Sequence, residues 1–306
     1  MPFDETAFVQ EIYSVVQRSS ADGEFEFGSD RTSEVNYQKI AISIPPNHQA
    51  GRIEWPKRAE PDPQKHFGIV RADLLESKAD FYEALRKEDE DTVLVQVHGF
   101  NTNPSEALYR HAQIRHDYEV TIPTISFIWP SAATVRGYVY DNDSALFARD
   151  TLVDLIHDIN RYSGKRVVLS AHSLGSFLTM EALRQSALQP GPKVTDRVAG
   201  VFLLAPDIDP DVFEAQLSKI DPIPDPFLVF AAKSDPALKI STFIRGTKTR
   251  VGQITADEKW SELGIRIVNL SEFSKSASNP HSIASTSEEA ILFLVGFFSA
   301  LFGTSL

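Results

Sequence analysis

A serine between small residues, in Ala171-His172-Ser173-Leu174-Gly175, closely follows the apolar run Val167-Val168-Leu169. On a sharp strand-to-helix turn its hydroxyl would project from the end of a central sheet, and such a turn needs small residues two before and two after. Read alone, the pattern equally suits a serine that only caps a helix. A nucleophilic serine also needs a base to take its proton and a carboxylate to orient that base. Of eight histidines, His48, His66, His98, His111, His116, His157 and His172 precede Ser173, and His281 alone follows it. Asp207, Asp209 and Asp235 lie between them, so the chain order is serine, acid, histidine. Asp235 opens a turn ahead of Pro236 and is the favoured acid. Asp207 is the alternative, and Asp209, before Pro210, reads as a helix N-cap.

These residues must be carried by a frame. Short apolar, β-branched runs alternate with longer helical patterns, which implies a mainly parallel sheet covered by helices on both faces. Strands are expected at Thr92 to His98, Thr124 to Trp129, Arg166 to Ala171, Val198 to Leu204, Phe227 to Ala232 and Ile265 to Leu270. Helices are expected at Ser105 to Tyr118, Ser144 to Tyr162, Leu174 to Leu188, Pro210 to Ile220, Pro236 to Arg245 and Thr286 to Phe302. The candidate residues fall just beyond the strand ends, where open α/β sheets bind ligands. Residues 1–306 read as one domain. Within it, residues 1–90 form an N-terminal extension with edge strands, Lys39 to Pro45 among them, and residues 131–148 form a cap loop with a glycine hinge.

Acyl transfer requires donors aimed at the developing oxyanion. The N–H of Leu174 supplies one, and the N–H of Phe100, after the close-approach position Gly99, supplies the second. His98 and His172 read as structural or positioning residues. His111, His116 and His157 fall in helices as ordinary surface residues. Trp129, Tyr138, Tyr140 and Phe100 would favour an apolar acyl or alcohol group, or else simply pack under the cap loop.

With Val97-His98-Gly99-Phe100-Asn101-Thr102, Phe127-Ile128-Trp129-Pro130, the serine segment, Leu204-Ala205-Pro206-Asp207 and Lys233-Ser234-Asp235-Pro236, the chain resembles an α/β-hydrolase. More narrowly it resembles an esterase- or lipase-like branch labelled a domain of unknown function. Ile42-Ser43-Ile44-Pro45-Pro46 and Gly51-Arg52-Ile53-Glu54-Trp55-Pro56 extend the likeness over most of the chain. The resemblance implies an α/β-hydrolase fold with a small N-terminal β extension, and serine-hydrolase chemistry. Ala171 replaces the usual glycine, and Pro280 precedes His281 where glycine is expected.

The expected activity is cleavage of carboxylic esters through an acyl-enzyme on a small or lipid-like ester. Thioester or amide cleavage, acyl transfer, and an idle fold used as a binding module are the alternatives. No metal-ligand spacing, phosphate loop or dinucleotide fingerprint is seen, so no cofactor and no metal are expected. The net charge of −12 argues against a nucleic-acid partner. The absence of cysteine removes thiolate chemistry and disulfides. Met1 to Thr6 have neither the basic start nor the apolar core of a secretory signal, so a cytoplasmic location is the default, with a trimmed exported form left open. The apolar stretch Ala290 to Phe302 is too short to span a bilayer and reads as a buried terminal helix. Self-association or peripheral membrane contact through it is the other reading.

Overall fold

The computed structural model describes residues 7–21, 26–57, 61–235, 237–238 and 249–302. Nine strands form one sheet: β1 Phe8–Val16, β2 Asn36–Ile44, β3 Gly68–Leu75, β4 Thr92–Val97, β5 Thr124–Ile128, β6 Arg166–His172, β7 Val198–Leu204, β8 Phe227–Ala231 and β9 Ile265–Asn269. Their order is β3-β2-β1-β5-β4-β6-β7-β8-β9. From β1 to β9 every neighbouring pair is parallel, while β2 is antiparallel to both β1 and β3. The sheet is therefore mainly parallel, as expected. The N-terminal strand seen in the sequence differs in place: β2 is interior, and β3 forms that edge.

The helices are α1 Lys78–Arg86, α2 Pro104–Asp117, α3 Tyr138–Asp158, α4 Leu174–Leu188, α5 Pro210–Leu217, α6 Glu258–Glu262, α7 Ile283–Thr286 and α8 Glu288–Phe302. Alternation along β4 sets the two faces. Val93, Val95 and Val97 pack with residues of α1, α3, α4, α5 and α6, whereas Leu94 joins the layer of α7 and α8. Helix α2 covers β1 and β2 through Ala107, Leu108 and Ala112. Runs such as Phe227–Ala231 are buried throughout, because helices cover both sides of a parallel strand.

Local chemistry sets several helix starts. Asn103 and Glu106 form a reciprocal capping box on α2 with Pro104 in the first turn, and Asp209 caps α5 ahead of Pro210. Helix α3 begins six residues before the expected Ser144, shortening the cap to a loop and one 3-10 turn at Val135–Gly137. The terminal helix is interrupted at Ser287 into α7 and α8. The helix expected at Pro236 to Arg245 lies largely outside the described residues. No helix among the described residues is long and apolar enough to cross a membrane.

Candidate active site

Ser173 sits between β6 and α4 at φ 53°, ψ −120°. A non-glycine residue there carries strain of roughly 1–3 kcal/mol and persists only when its surroundings over-determine it. They do: its N–H donates to the Leu204 carbonyl at 2.9 Å, and its own carbonyl accepts from Ser176 and Asp207 N–H. Gly175 is required by close approach, since a Cβ would lie 2.3 Å from the His98 carbonyl oxygen. At Gly99 a Cβ would meet His172 Nδ1 at 2.8 Å and Ser173 Cβ at 3.1 Å. Ala171 is accommodated without difficulty as part of the core.

The Ser173 hydroxyl donates to His281 Nε2 at 2.8 Å, and His281 Nδ1 donates to Asp235 Oδ2 at 2.7 Å. Asp235 is 1 % exposed, and its other oxygen accepts from the N–H groups of Ala237 and Leu238 at 2.9 and 3.1 Å. That arrangement fixes the carboxylate as an acceptor for His281. The His281 loop is held by Asn279, whose side chain accepts from the His281 N–H at 3.0 Å. His172 Nε2 donates to the His281 carbonyl at 3.2 Å. Burial and the nearby His281 press the His172 pKa down to about 3, so it stays a neutral donor beneath that backbone.

Asp207 is spent elsewhere. Its Oδ1 pairs with Arg250 Nε at 2.9 Å, and its Oδ2 accepts from Tyr138 at 2.7 Å. Asp207 and Arg250 are both almost wholly buried, and the Tyr138 hydrogen bond ties the cap to the segment after β7. Asp209 is the α5 N-cap, as read from the sequence.

The N–H groups of Leu174 and Phe100, the two expected oxyanion donors, make no hydrogen bond among the described residues. The loop that bears Phe100 is shaped by residues the sequence did not single out. Buried Asp141 accepts from the N–H of Asn101 and Ala132 and from the Ser131 hydroxyl, at 3.1, 2.6 and 2.6 Å. Ser131 in turn accepts from Thr102 N–H, and Arg18 donates to the carbonyls of Gly28, Trp129 and Ser131. The only sequence hint for Asp141 was its place at the end of the cap loop.

A cavity of about 570 Å³ opens over Ser173, lined by Gly99, Phe100, Tyr138, His172, Asp235 and His281 among others. Phe100 and Tyr138 stand in its wall, edge to face at 5.3 Å. Trp129 and Tyr140 do not. Trp129 is fully buried, stacked on His98 at 4.9 Å with its indole N–H on the His98 carbonyl. Tyr140 bonds the Ser29 carbonyl and lies under Arg31. His111 is likewise displaced from its expected surface position: it is fully buried in the face of α2 that lines the cavity.

One grouping among the described residues has metal-ligand donors, His48, His116 and Asp117. His48 already bridges Glu54 and Asp117 at 2.8 and 2.9 Å. Although burial opposes it, donating hydrogen bonds to the two carboxylates raises its pKa to about 9, so a proton supplies the positive charge a metal would bring.

Solved structures of similar shape include a ydeN-like hydrolase of Pectobacterium atrosepticum, at 19 % identity and TM-score 0.37, covering 74 % of this chain and 99 % of that one. TT1662 of Thermus thermophilus matches at 11 % identity and TM-score 0.44, over 86 % of this chain and 92 % of its own. A monoacylglycerol lipase of Paleococcus ferrophilus matches at 13 % and 0.41, over 68 % and 94 %. At these identities no activity passes from those proteins to this chain. No curated protein is a significant match. The model of one family, the α/β-hydrolases of unknown function called DUF900, matches residues 74–296, nearly three quarters of the chain. With that match laid over the sheet, elbow and strand-end residues described above, the chain belongs to the DUF900 family of α/β-hydrolases.

Proposed function

We propose that the protein is a serine hydrolase that cleaves carboxylic esters through an acyl-enzyme. The observation that carries this reading is the continuous hydrogen-bond chain from Ser173 through His281 to Asp235. Ser173 Oγ attacks the ester carbonyl while His281 Nε2 takes its proton. The negative oxygen is held by the Leu174 and Phe100 N–H groups, a single such donor contributing about 3–4 kcal/mol in the transition state. His281 then protonates the departing alcohol, and the same base activates water to release the acid and regenerate Ser173. Asp235 keeps His281 in the tautomer that accepts at Nε2 and stabilises the imidazolium. Tyr138 and Phe100 flank the reacting carbon on the cap side. Neither cofactor nor metal is needed for any step.

A fluorophosphonate is expected to label Ser173 covalently, and short alkyl or aryl esters to be turned over, with both lost in Ser173→Ala. Folded wild-type protein showing neither would end this reading. One observation favours the alternative of a docking module: Leu292 and Phe293 leave apolar surface exposed on α8. Removal of residues 290–306 with unchanged size and solubility would count against that role.

A further inference from the structure

Arg110 lies in the wall of the cavity above Ser173, on α2. Its Nη1 donates to the side-chain oxygen of Gln113 at 2.6 Å and the Ser285 carbonyl at 2.8 Å. Both acceptors are neutral. Its Nε and Nη2 make no hydrogen bond among the described residues, and no carboxylate lies within ion-pair distance of it. The other acids near this cavity are committed. Asp207 serves Arg250, Asp235 serves His281, and Glu106 accepts from the Asn103 N–H at the start of α2. Asp117, the last residue of α2, accepts from His48, the Gly51 N–H and the Gln113 amide, so its charge reaches Arg110 only through space and through that neutral side chain.

A partly buried guanidinium whose nearest felt negative charge, Asp117, does not bond it directly has capacity left for an anion on its open edge. It is the more notable in a chain of net charge −12. The same wall holds further unmet polar capacity. Gln96 Oε1, His98 Nε2 and both ring nitrogens of His111 are buried with no partner, and all three residues line this cavity. Buried polar atoms left unpaired are unfavourable. Burial holds His98 and His111 neutral, with pKa values near 3, so their rings offer hydrogen bonds and not charge. The position relative to the nucleophile is also defined. Ser285, which Arg110 grips, is four residues past His281, and the Arg110 charge is felt at His172, next to Ser173.

We propose that Arg110 is the anchor of an anion subsite beside Ser173, through which the enzyme selects esters whose acyl part carries a terminal carboxylate. The free Nε and Nη2 edge suits a two-point grip on a carboxylate. This inference rests on the reading of Ser173 as the nucleophile.

The test compares esters matched in length, monoethyl glutarate against ethyl valerate and monoethyl adipate against ethyl hexanoate, by proton release. Wild type is expected to favour the anionic member at least tenfold in kcat/KM. Arg110→Gln should lower that ratio at least tenfold, and Arg110→Lys should retain part of it. Melting curves identify any variant that fails to fold, and the Lys variant, which keeps the charge, covers that case. A wild-type preference for the neutral esters, or an unchanged ratio in folded Arg110→Gln, would overturn the proposal while leaving the serine chemistry standing. If no ester is cleaved and Ser173 does not label, the hydrolase reading fails instead. Calorimetry with glutarate then decides the subsite: millimolar or tighter binding abolished in Arg110→Gln supports it, and no binding refutes it.

Discussion

Asp207 and Asp235 lie just beyond adjacent parallel strands, β7 and β8, and both are nearly fully buried, yet their carboxylates do different work. Asp235 gives one oxygen to two backbone N–H groups and the other to an imidazole that can move a proton. Asp207 gives both oxygens to structural partners, a guanidinium and a phenol. Burial and strand-end position are common to both. The partner determines whether such a carboxylate can serve chemistry or only architecture.

The largest effect expected is on turnover. Asp235→Asn should lower kcat by about 10³–10⁴-fold with the fold retained, because the amide no longer holds His281 in the accepting tautomer. Asp207→Asn should lower kcat far less. If steady-state kinetics on folded proteins show the reverse ranking, the assignment of roles is wrong.

Stability should rank the two regions the other way. Arg250→Met strands the buried Asp207 carboxylate and is expected to cost about 3–5 kcal/mol in denaturant unfolding. A loss under 1 kcal/mol would mean that Asp207 is not held as an ion pair.

His48 sharpens the contrast, being an imidazole between two carboxylates where His281 has one. Its pKa is raised to about 9 from 6.5. Its contribution is therefore fully present below about pH 6.5 and is lost as the pH rises through about 9. His48→Gln should remove on the order of 1–3 kcal/mol at pH 6 and flatten the fall in stability between pH 7 and 10. Parallel stability curves for variant and wild type would contradict this.

The smallest effect concerns the latch from the cap to β7. Tyr138→Phe deletes one hydrogen bond to Asp207 and should cost about 1 kcal/mol, with a raised KM for bulky esters. An unchanged unfolding midpoint and KM would show that the latch is idle.

Much of the frame was legible because its signals are local. The helix Leu174 to Leu188 matches its expected bounds, and the strands of the parallel half fall where apolar runs were read. Ser173 was marked by its small neighbours and His281 by elimination, and the structure brings both together with Asp235. The misplaced residues share one feature, a side chain whose role depends on a distant partner. Trp129 reads as a cavity residue in the sequence but its N–H meets the His98 carbonyl, and Tyr140 bonds the Ser29 carbonyl 111 positions away in sequence. His111 reads as a surface residue in the sequence, yet its helix lays that face along the cavity.

By itself the sequence determined the alternation of strand and helix, the turn that exposes Ser173, and the order of the groups that follow it. Those depend on periodicity, residue size and chain direction, all short-range properties. Only the tertiary structure decided which aspartate meets His281, that Asp141 shapes the Phe100 loop, and that Arg110 lines the cavity at Ser173 with no ion pair among the described residues. Each depends on groups far apart in sequence meeting where water is excluded, and there a partner present or absent is worth several kcal/mol.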